Sequence, residues 1–221
     1  MWVQYTDGAW EQPEEEGQPS MPAGAGAVEF HRAAAQERKE EAHQHDDKGH
    51  PDKKGVFDLR QLTDKEEAVP GEQYKITWAQ RGEVCTDPAK PEYIGACANT
   101  NNTGELTAMH YALTRALTRK RGAGTEQIRS DSQYAIHMTT GKWLPKKRHS
   151  HAMIHALRHM YRRLQRERPN EITLQHVRSH VLIPGNELAD WLAETGVGHA
   201  SVQVCTGHAE KWLVKWMGDH G

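Results

Sequence analysis

A chain of 221 residues, 36% apolar and 26% charged, is long enough for one good-sized domain with additions or for two small ones. Its net charge of −2 averages an acidic front and a basic back. Residues 1–90 carry 11 Lys/Arg against 19 Asp/Glu (net −8), and residues 91–221 carry 17 against 11 (net +6), which invites a polyanionic partner. Cys85, Cys97 and Cys205 are scattered and lack C-x-x-C spacing, which argues against a disulfide framework or a zinc site. No apolar run reaches the roughly 18–20 residues of a membrane span, and no basic-then-apolar leader precedes Trp2. The expectation is a soluble intracellular protein, cytoplasmic or nuclear, without membrane contact.

In chain order, Trp2 to Thr6 suits a half-buried strand, and Asp7-Gly8 reads as the turn that ends it. An acid placed where a strand stops can point out of the sheet edge, where α/β folds gather ligands. Glu11 to Pro22 is an irregular acidic loop, and Ala23 to Phe30 is a second strand softened by glycines. From His31 to about Gly71 the chain is charged and poor in large apolar residues, an insertion that does not pack a core, with a short surface helix over Ala33–Glu41. Gln73 to Val84 and Glu92 to Ala98 are further strand candidates. Asn101 to Glu105 then leads into a helix whose Leu106, Met109, Leu113 and Leu117 keep helical spacing up to Arg121-Gly122.

Gln127 to Ser130 is a short strand ending at Asp131, and Ser132 to Thr140 a short helix stopped by Gly141. Met153, Ile154, Leu157, Met160, Tyr161 and Leu164 put an apolar face on a long helix that Pro169-Asn170 ends. Glu171 to Val177 alternates as a strand, and Pro184-Gly185-Asn186 opens a last core helix over Glu187–Glu194. The remainder, Val197 to Gly221, holds Trp212 and Trp216 four apart, enough for one or two amphipathic turns.

Strands first, then helix–strand–helix–helix–strand–helix, gives an α/β fold: a mixed sheet, part meander and part crossover, with helices packed on it. A strand reached by a helical crossover runs parallel to its partner, so beside the first strand Asp131 leaves the sheet at the same edge as Asp7. Glu105 lies in the first turn of the crossover helix, and Asp190 within the first turn and a half of the last one. Four carboxylates converging on one edge repel and raise one another's pKa values unless they hold a divalent cation, and hard oxygen ligands suit Mg²⁺ or Mn²⁺.

Four segments carry a resemblance: Tyr5-Thr6-Asp7-Gly8, Thr100 to Leu106, Ser130 to Tyr134, and His180 followed ten residues later by Asp190 within Pro184-Gly185-Asn186-Glu187-Leu188-Ala189-Asp190. In this order and on these elements they resemble the type 1 ribonuclease H family, cellular or retroelement-derived. The resemblance covers roughly residues 2–30 and 74–196. It implies a ribonuclease H-like fold with a five-stranded mixed sheet flanked by helices. The catalytic domain then spans 1–196, interrupted at about 31–71, and 197–221 is a tail with a short amphipathic helix.

It also implies an endonuclease that cuts the RNA strand of an RNA–DNA hybrid with two Mg²⁺ ions, for which Mn²⁺ substitutes. Asp7, Glu105, Asp131 and Asp190 match the metal-binding carboxylates, with Asp7 bridging both ions, and His180 matches the family's mobile-loop histidine. Thr100 matches a DNA-phosphate contact, and Asn101, Asn102 and Gln133 match positions facing the minor groove, where 2′-hydroxyls are read. Ser179, Val181 and Leu182 depart from the small residues usual around the loop histidine. The family's basic handle is shortened here to Lys142-Trp143-Leu144-Pro145-Lys146-Lys147-Arg148, whose Lys142, Trp143, Lys146, Lys147 and Arg148 are assigned to the nucleic acid. A monomer is expected. The rivals are a ribonuclease H-like module that binds without cutting, and the ribonuclease H domain of a reverse transcriptase within a larger polyprotein.

Blander readings apply elsewhere. Arg158, Arg162, Arg163, Arg166 and Arg168 read as a solvated helix face, and His151, His155 and His159, at i, i+4 and i+8, as a polar stripe rather than a transition-metal site. His43, His45 and His50 sit in the insertion and are weaker still as ligands. Trp212 and Trp216 read as packed on the domain rather than as a stacking platform for bases.

Overall fold

Strand β1 (Trp2–Trp10) is the centre of the sheet. It pairs antiparallel with β2 (Ala23–Arg32) and parallel with β5 (Glu126–Ser130). Beyond β2 lies β4 (Gln73–Glu83), antiparallel, and beyond β5 lies β6 (Ile172–His176), parallel. Two short strands are added at the β4 side: β3 (Val56–Asp58) and β7 (Val202–Gln203), both paired with β4. The sheet order is β3-β4-β2-β1-β5-β6, so the expected five-stranded mixed sheet is present as β4-β2-β1-β5-β6, enlarged to seven by the two additions. The computed structural model describes residues 1–11, 21–32, 56–58, 73–145, 150–179 and 181–220.

Helix α1 (Asn101–Leu117) crosses from the meander to β5, and α2 (Gln133–Thr140) with α3 (His151–Glu167) crosses to β6. Helices α4 (Pro184–Glu194) and α5 (Thr206–His220) follow. Two cores result. Leu106, Met109 and Leu113 of α1 pack with Ile128, Met153, Ile154 and Leu157 on one face of the sheet. On the other, Val3, Tyr5, Val28 and Phe30 meet Leu188 and Leu192 of α4 and Leu213 of α5. The periodic apolar residues are the buried ones, as expected of amphipathic helices on a sheet.

Local chemistry sets the helix ends. Thr100 caps α1, its side chain accepting from the Thr103 N–H while Thr103 Oγ1 accepts from the Thr100 N–H at 2.9 Å, a reciprocal box. Ser132 caps α2 through Ala135 N–H at 3.1 Å, and Gly141 closes it in the left-handed conformation. Pro184 begins α4, three residues earlier than the helix read from sequence.

Three expectations change. Strand β1 does not stop at Asp7-Gly8 but runs on to Trp10, with Gly8 paired to Ala25. Glu92–Ala98 forms turns and bends, not a strand. Gly95 there has φ +100, outside strand geometry, and a Cβ on it would stand 2.4 Å from that of Ala152, so the segment folds against α3 instead. Residues 197–220 form β7 and the 15-residue α5, whose Ala209 and Leu213 are wholly buried, rather than a tail with a turn or two of helix. Most of the insertion, including His43, His45, His50 and the Ala33–Glu41 helix, lies outside the described residues. Among those described, no helix is long and apolar enough to cross a membrane.

Candidate active site

The parallel pairing of β1 and β5 ends at Thr6 and Ser130. Asp7 and Asp131 are the next residue on each strand, so they stand side by side where the pairing stops. Asp7 is thus placed not by a chain end but by the end of its neighbour. Gly8 then lets α1 seat against the sheet: a Cβ there would lie 2.3 Å from Glu105 N. That contact carries Glu105 to the same edge. One oxygen each of Asp7, Glu105 and Asp131 lies within 4.8 Å of the others, and among the described residues this trio forms the cluster able to hold a metal ion. Asp190, on α4, stands outside the tight trio, yet its charge reaches both Asp7 and Glu105.

The electrostatics are those of an acid cluster out of water. Burial above all, then the charges of Asp131, Asp190 and Glu187, push Asp7 up to about 9, against a smaller lowering by the Gly8 N–H. That N–H donates to Asp7 Oδ1 at 2.8 Å. Glu105 is raised well above the carboxylate range, first by burial and then by Asp7, Asp131 and Asp190. Its Oε2 is buried with no hydrogen-bond partner among the described residues. Hard oxygens, mutual repulsion and a buried acceptor without a donor all fit a small divalent cation of the Mg²⁺ or Mn²⁺ class, held by Asp7, Glu105 and Asp131.

The described nucleic-acid contacts assigned from sequence lie at the start of α1, at the start of α2 and past its end. Asn101 and Asn102 are exposed in the first turn of α1, and Gln133 is exposed at the start of α2, two residues after Asp131. Thr100 is half-buried as the α1 cap. Lys142 and Trp143 are exposed just past α2, with the Trp143 ring 4.6 Å from that of His137. His180, Lys146, Lys147 and Arg148 lie outside the described residues.

Two helix arginines are not the solvated face expected of them. Arg158 donates to Met138 O at 2.8 Å and to Trp143 O, closing the end of α2. Arg168 is wholly buried against Glu126. Arg163 does pair with Glu167 at the surface, and His151, His155 and His159 are exposed. Trp212 and Trp216 stack in line with Trp191 and His220, packed on α4.

Sequence reasoning passed over three residues at this edge. Asn186 donates from Nδ2 to Asp131 Oδ2 at 3.3 Å and to Asp7 Oδ2 at 3.5 Å; its spacing of four from Asp190 put it on the same helix face. Glu187, the next residue, adds charge to Asp7. His176 ends β6 beside Ser130, with Nε2 3.1 Å from Asp131 O, a position that strand register alone supplied.

A family model described as RNase H matches residues 77–198, more than half of the chain. No curated protein sequence matches it. Among solved structures, LC9-RNase H1, a type 1 RNase H with the type 2 active-site motif, aligns at 17% identity over 94% of this chain and 79% of that one, TM-score 0.50. The foamy viral protease-reverse transcriptase in complex with RNA/DNA hybrid aligns at 15% identity over 89% of this chain and 20% of that one, TM-score 0.50. RNase H1 from the halophilic archaeon Halobacterium salinarum aligns at 19% identity over 88% and 96%, TM-score 0.47. At these identities the likeness is one of fold.

Proposed function

The chain belongs to the RNase H family, and on that premise we propose that it is a metal-dependent endoribonuclease hydrolysing the RNA strand of RNA–DNA hybrids. The observation that carries this reading is the meeting of Asp7, Glu105 and Asp131 within 4.8 Å at the end of the β1–β5 pairing. Asp190 completes the set from α4. Divalent cations, when bound, supply a water activated at neutral pH and charge stabilisation for the leaving oxygen. The chain's own residues do the rest. Gly8 N–H fixes one oxygen of Asp7, and burial beside other acids raises both Asp7 and Glu105, so cation binding at this edge would compete with protons. Asn101, Asn102 and Gln133, exposed on two helix N-termini, donate in this reading to 2′-hydroxyls and base edges. Thr100 and the Lys142–Arg148 loop take phosphates, and His180 serves the leaving product.

A cleavage assay on matched hybrid, RNA–RNA and DNA–DNA duplexes, with and without Mg²⁺, tests the reading. The expected result is Mg²⁺-dependent cutting of RNA in the hybrid alone, abolished in Asp7→Asn with circular dichroism unchanged. Full activity in Asp7→Asn, or cutting in chelator, would overturn it. A second reading, a module that binds hybrids without cutting, is favoured by Leu182, a non-glycine residue held at φ +61 two residues after His180. Hybrid binding with no cleavage under any metal would decide for it.

A further inference from the structure

Asn186 lies in the first turn of α4, whose start is fixed by its N–H donating to Ile183 O at 2.9 Å. It is 3% exposed. Its Nδ2 reaches one oxygen of each of two acids that leave different strands, Asp131 at 3.3 Å and Asp7 at 3.5 Å. No other described side chain is shown donating to both. The amide orientation follows from the chemistry: turned the other way, a carbonyl oxygen would face two carboxylates. This leaves Oδ1 buried, with no hydrogen-bond partner among the described residues, as is Glu105 Oε2. A buried amide oxygen without a donor is destabilising by about 1–3 kcal/mol in general, so a chain that retains one at an acid cluster has a use for it. The donor of matching chemistry at such a site is a water held by a hydrated cation.

We propose that Asn186 is a positioning residue for the cation site: its amide nitrogen clamps Asp7 and Asp131 in ligand geometry, and its carbonyl oxygen accepts from a cation-bound water. The proposal rests on the metal-dependent reading above and assigns within it a part for a side chain that is not itself a ligand. Neutrality is what suits Asn to the task. An acid here would add to the repulsion among four carboxylates, and a lysine would compete with the cation for them. Its place in the first turn of α4 also ties the clamp to Asp190 four residues on, so the helix delivers ligand and clamp together.

The test is a Mn²⁺ titration followed by electron paramagnetic resonance, on the full chain without nucleic acid, for wild type, Asp7→Asn and Asn186→Ala. Thermal melts in chelator are recorded beside it. The expected result is a Mn²⁺ affinity about 10-fold weaker in Asn186→Ala, in the range found for outer-shell partners of metal ligands, with a melt in chelator close to wild type. Asn186→Ser keeps a polar group too short to reach both acids, and is judged by the same shift if the alanine variant does not fold. An Asn186 variant that binds Mn²⁺ as wild type does, while Asp7→Asn loses it, overturns the clamp and leaves the metal site standing. A wild type that binds no Mn²⁺ overturns both. A lowered melt with unchanged Mn²⁺ affinity marks a merely structural role and also overturns the clamp.

Discussion

Two groups of buried acids sit at opposite ends of one strand. Glu126 opens β5, and Asp131 follows its last residue. At the first end, Glu126 and its neighbour Glu29 are wholly buried and fully answered by cations. Arg119 bridges the two, Arg168 adds a 2.9 Å bond to Glu126, Arg115 a 3.1 Å bond to Glu29, and the Gln4 amide donates to Glu126. At the second end, the side-chain charges that act on Asp7 and Glu105 are carboxylates, and both acids are pushed upward. A buried acid already neutralised by arginine is architecture. One surrounded by other acids is built for something that arrives from outside. The same strand thus carries the fold's fastening at its start and the uncompensated acid cluster at its end.

The comparison breaks most visibly at Arg168. Its guanidinium also donates to Ala116 O at 3.2 Å and Gly124 O at 2.9 Å, tying α3 to the end of α1 and the loop before β5. Arg168→Met is expected to destabilise the protein by about 3–5 kcal/mol, because Glu126 is left buried with one cation fewer. For a chain of this size that is a fall of roughly 6–20 °C in melting temperature. Mn²⁺ affinity should not change. Adding Glu126→Gln to Arg168→Met should recover part of the loss, since the uncompensated charge goes with it. A melt within about 1 kcal/mol of wild type would mean that this network is not a fastening.

How legible each end was in the sequence follows from what carries it. The acids were readable because each falls at a punctuated position, Asp7 before Gly8, Asp131 after a short strand, Glu105 and Asp190 early in helices with clear apolar periods. The arginine network was not. Glu29 on β2, Arg119 past the end of α1, Glu126 on β5 and Arg168 past the end of α3 meet only in the fold, and nothing local distinguishes Arg168 from the exposed Arg163 five residues before it. Glu92–Ala98 misled because Tyr, Ile and Cys suit a strand, while the left-handed Gly95 that prevents one shows only in three dimensions. The α5 helix was underestimated for a related reason. Its few core residues, Ala209 and Leu213, meet a surface built by β4 and α4 that no local pattern announces.

The second end is separated from the first by pH. Asp7 has a native pKa near 9, raised above its unfolded value, so the native state binds more protons than the unfolded state between about pH 4 and 9. Its contribution therefore weakens stability as pH rises across that window, the reverse of an acid held by arginine. In chelator, the melting temperature of wild type should fall between pH 6 and 9 more steeply than that of Asp7→Asn. At pH 8 the variant is expected to be the more stable by about 2 kcal/mol, or ~4–8 °C. Mg²⁺ should flatten the wild-type profile by replacing the proton with a cation, and should do little for Asp7→Asn. Parallel profiles for the two proteins in chelator would show that Asp7 is not the strained member of the cluster.

The smallest effect belongs to the loop between β6 and α4, at Leu182. Its φ of +61 is the left-handed region, where a side chain costs about 1–2 kcal/mol, and its side chain is 55% exposed, so little packing offsets that. Leu182→Gly removes the steric penalty but frees the unfolded chain, by about 0.5–1 kcal/mol. The net expectation is a gain of about 0.5 kcal/mol, a melting shift of only ~1–2 °C, with Mn²⁺ affinity unchanged. The informative readout is turnover. If the strained backbone at Leu182 limits catalysis, the glycine variant cuts hybrid faster than wild type at equal Mg²⁺ and hybrid affinity. A loss of more than about 1 kcal/mol of stability would show instead that the Leu182 side chain is a packing element. The acid edge would then extend into an apolar rim as firmly built as the arginine end.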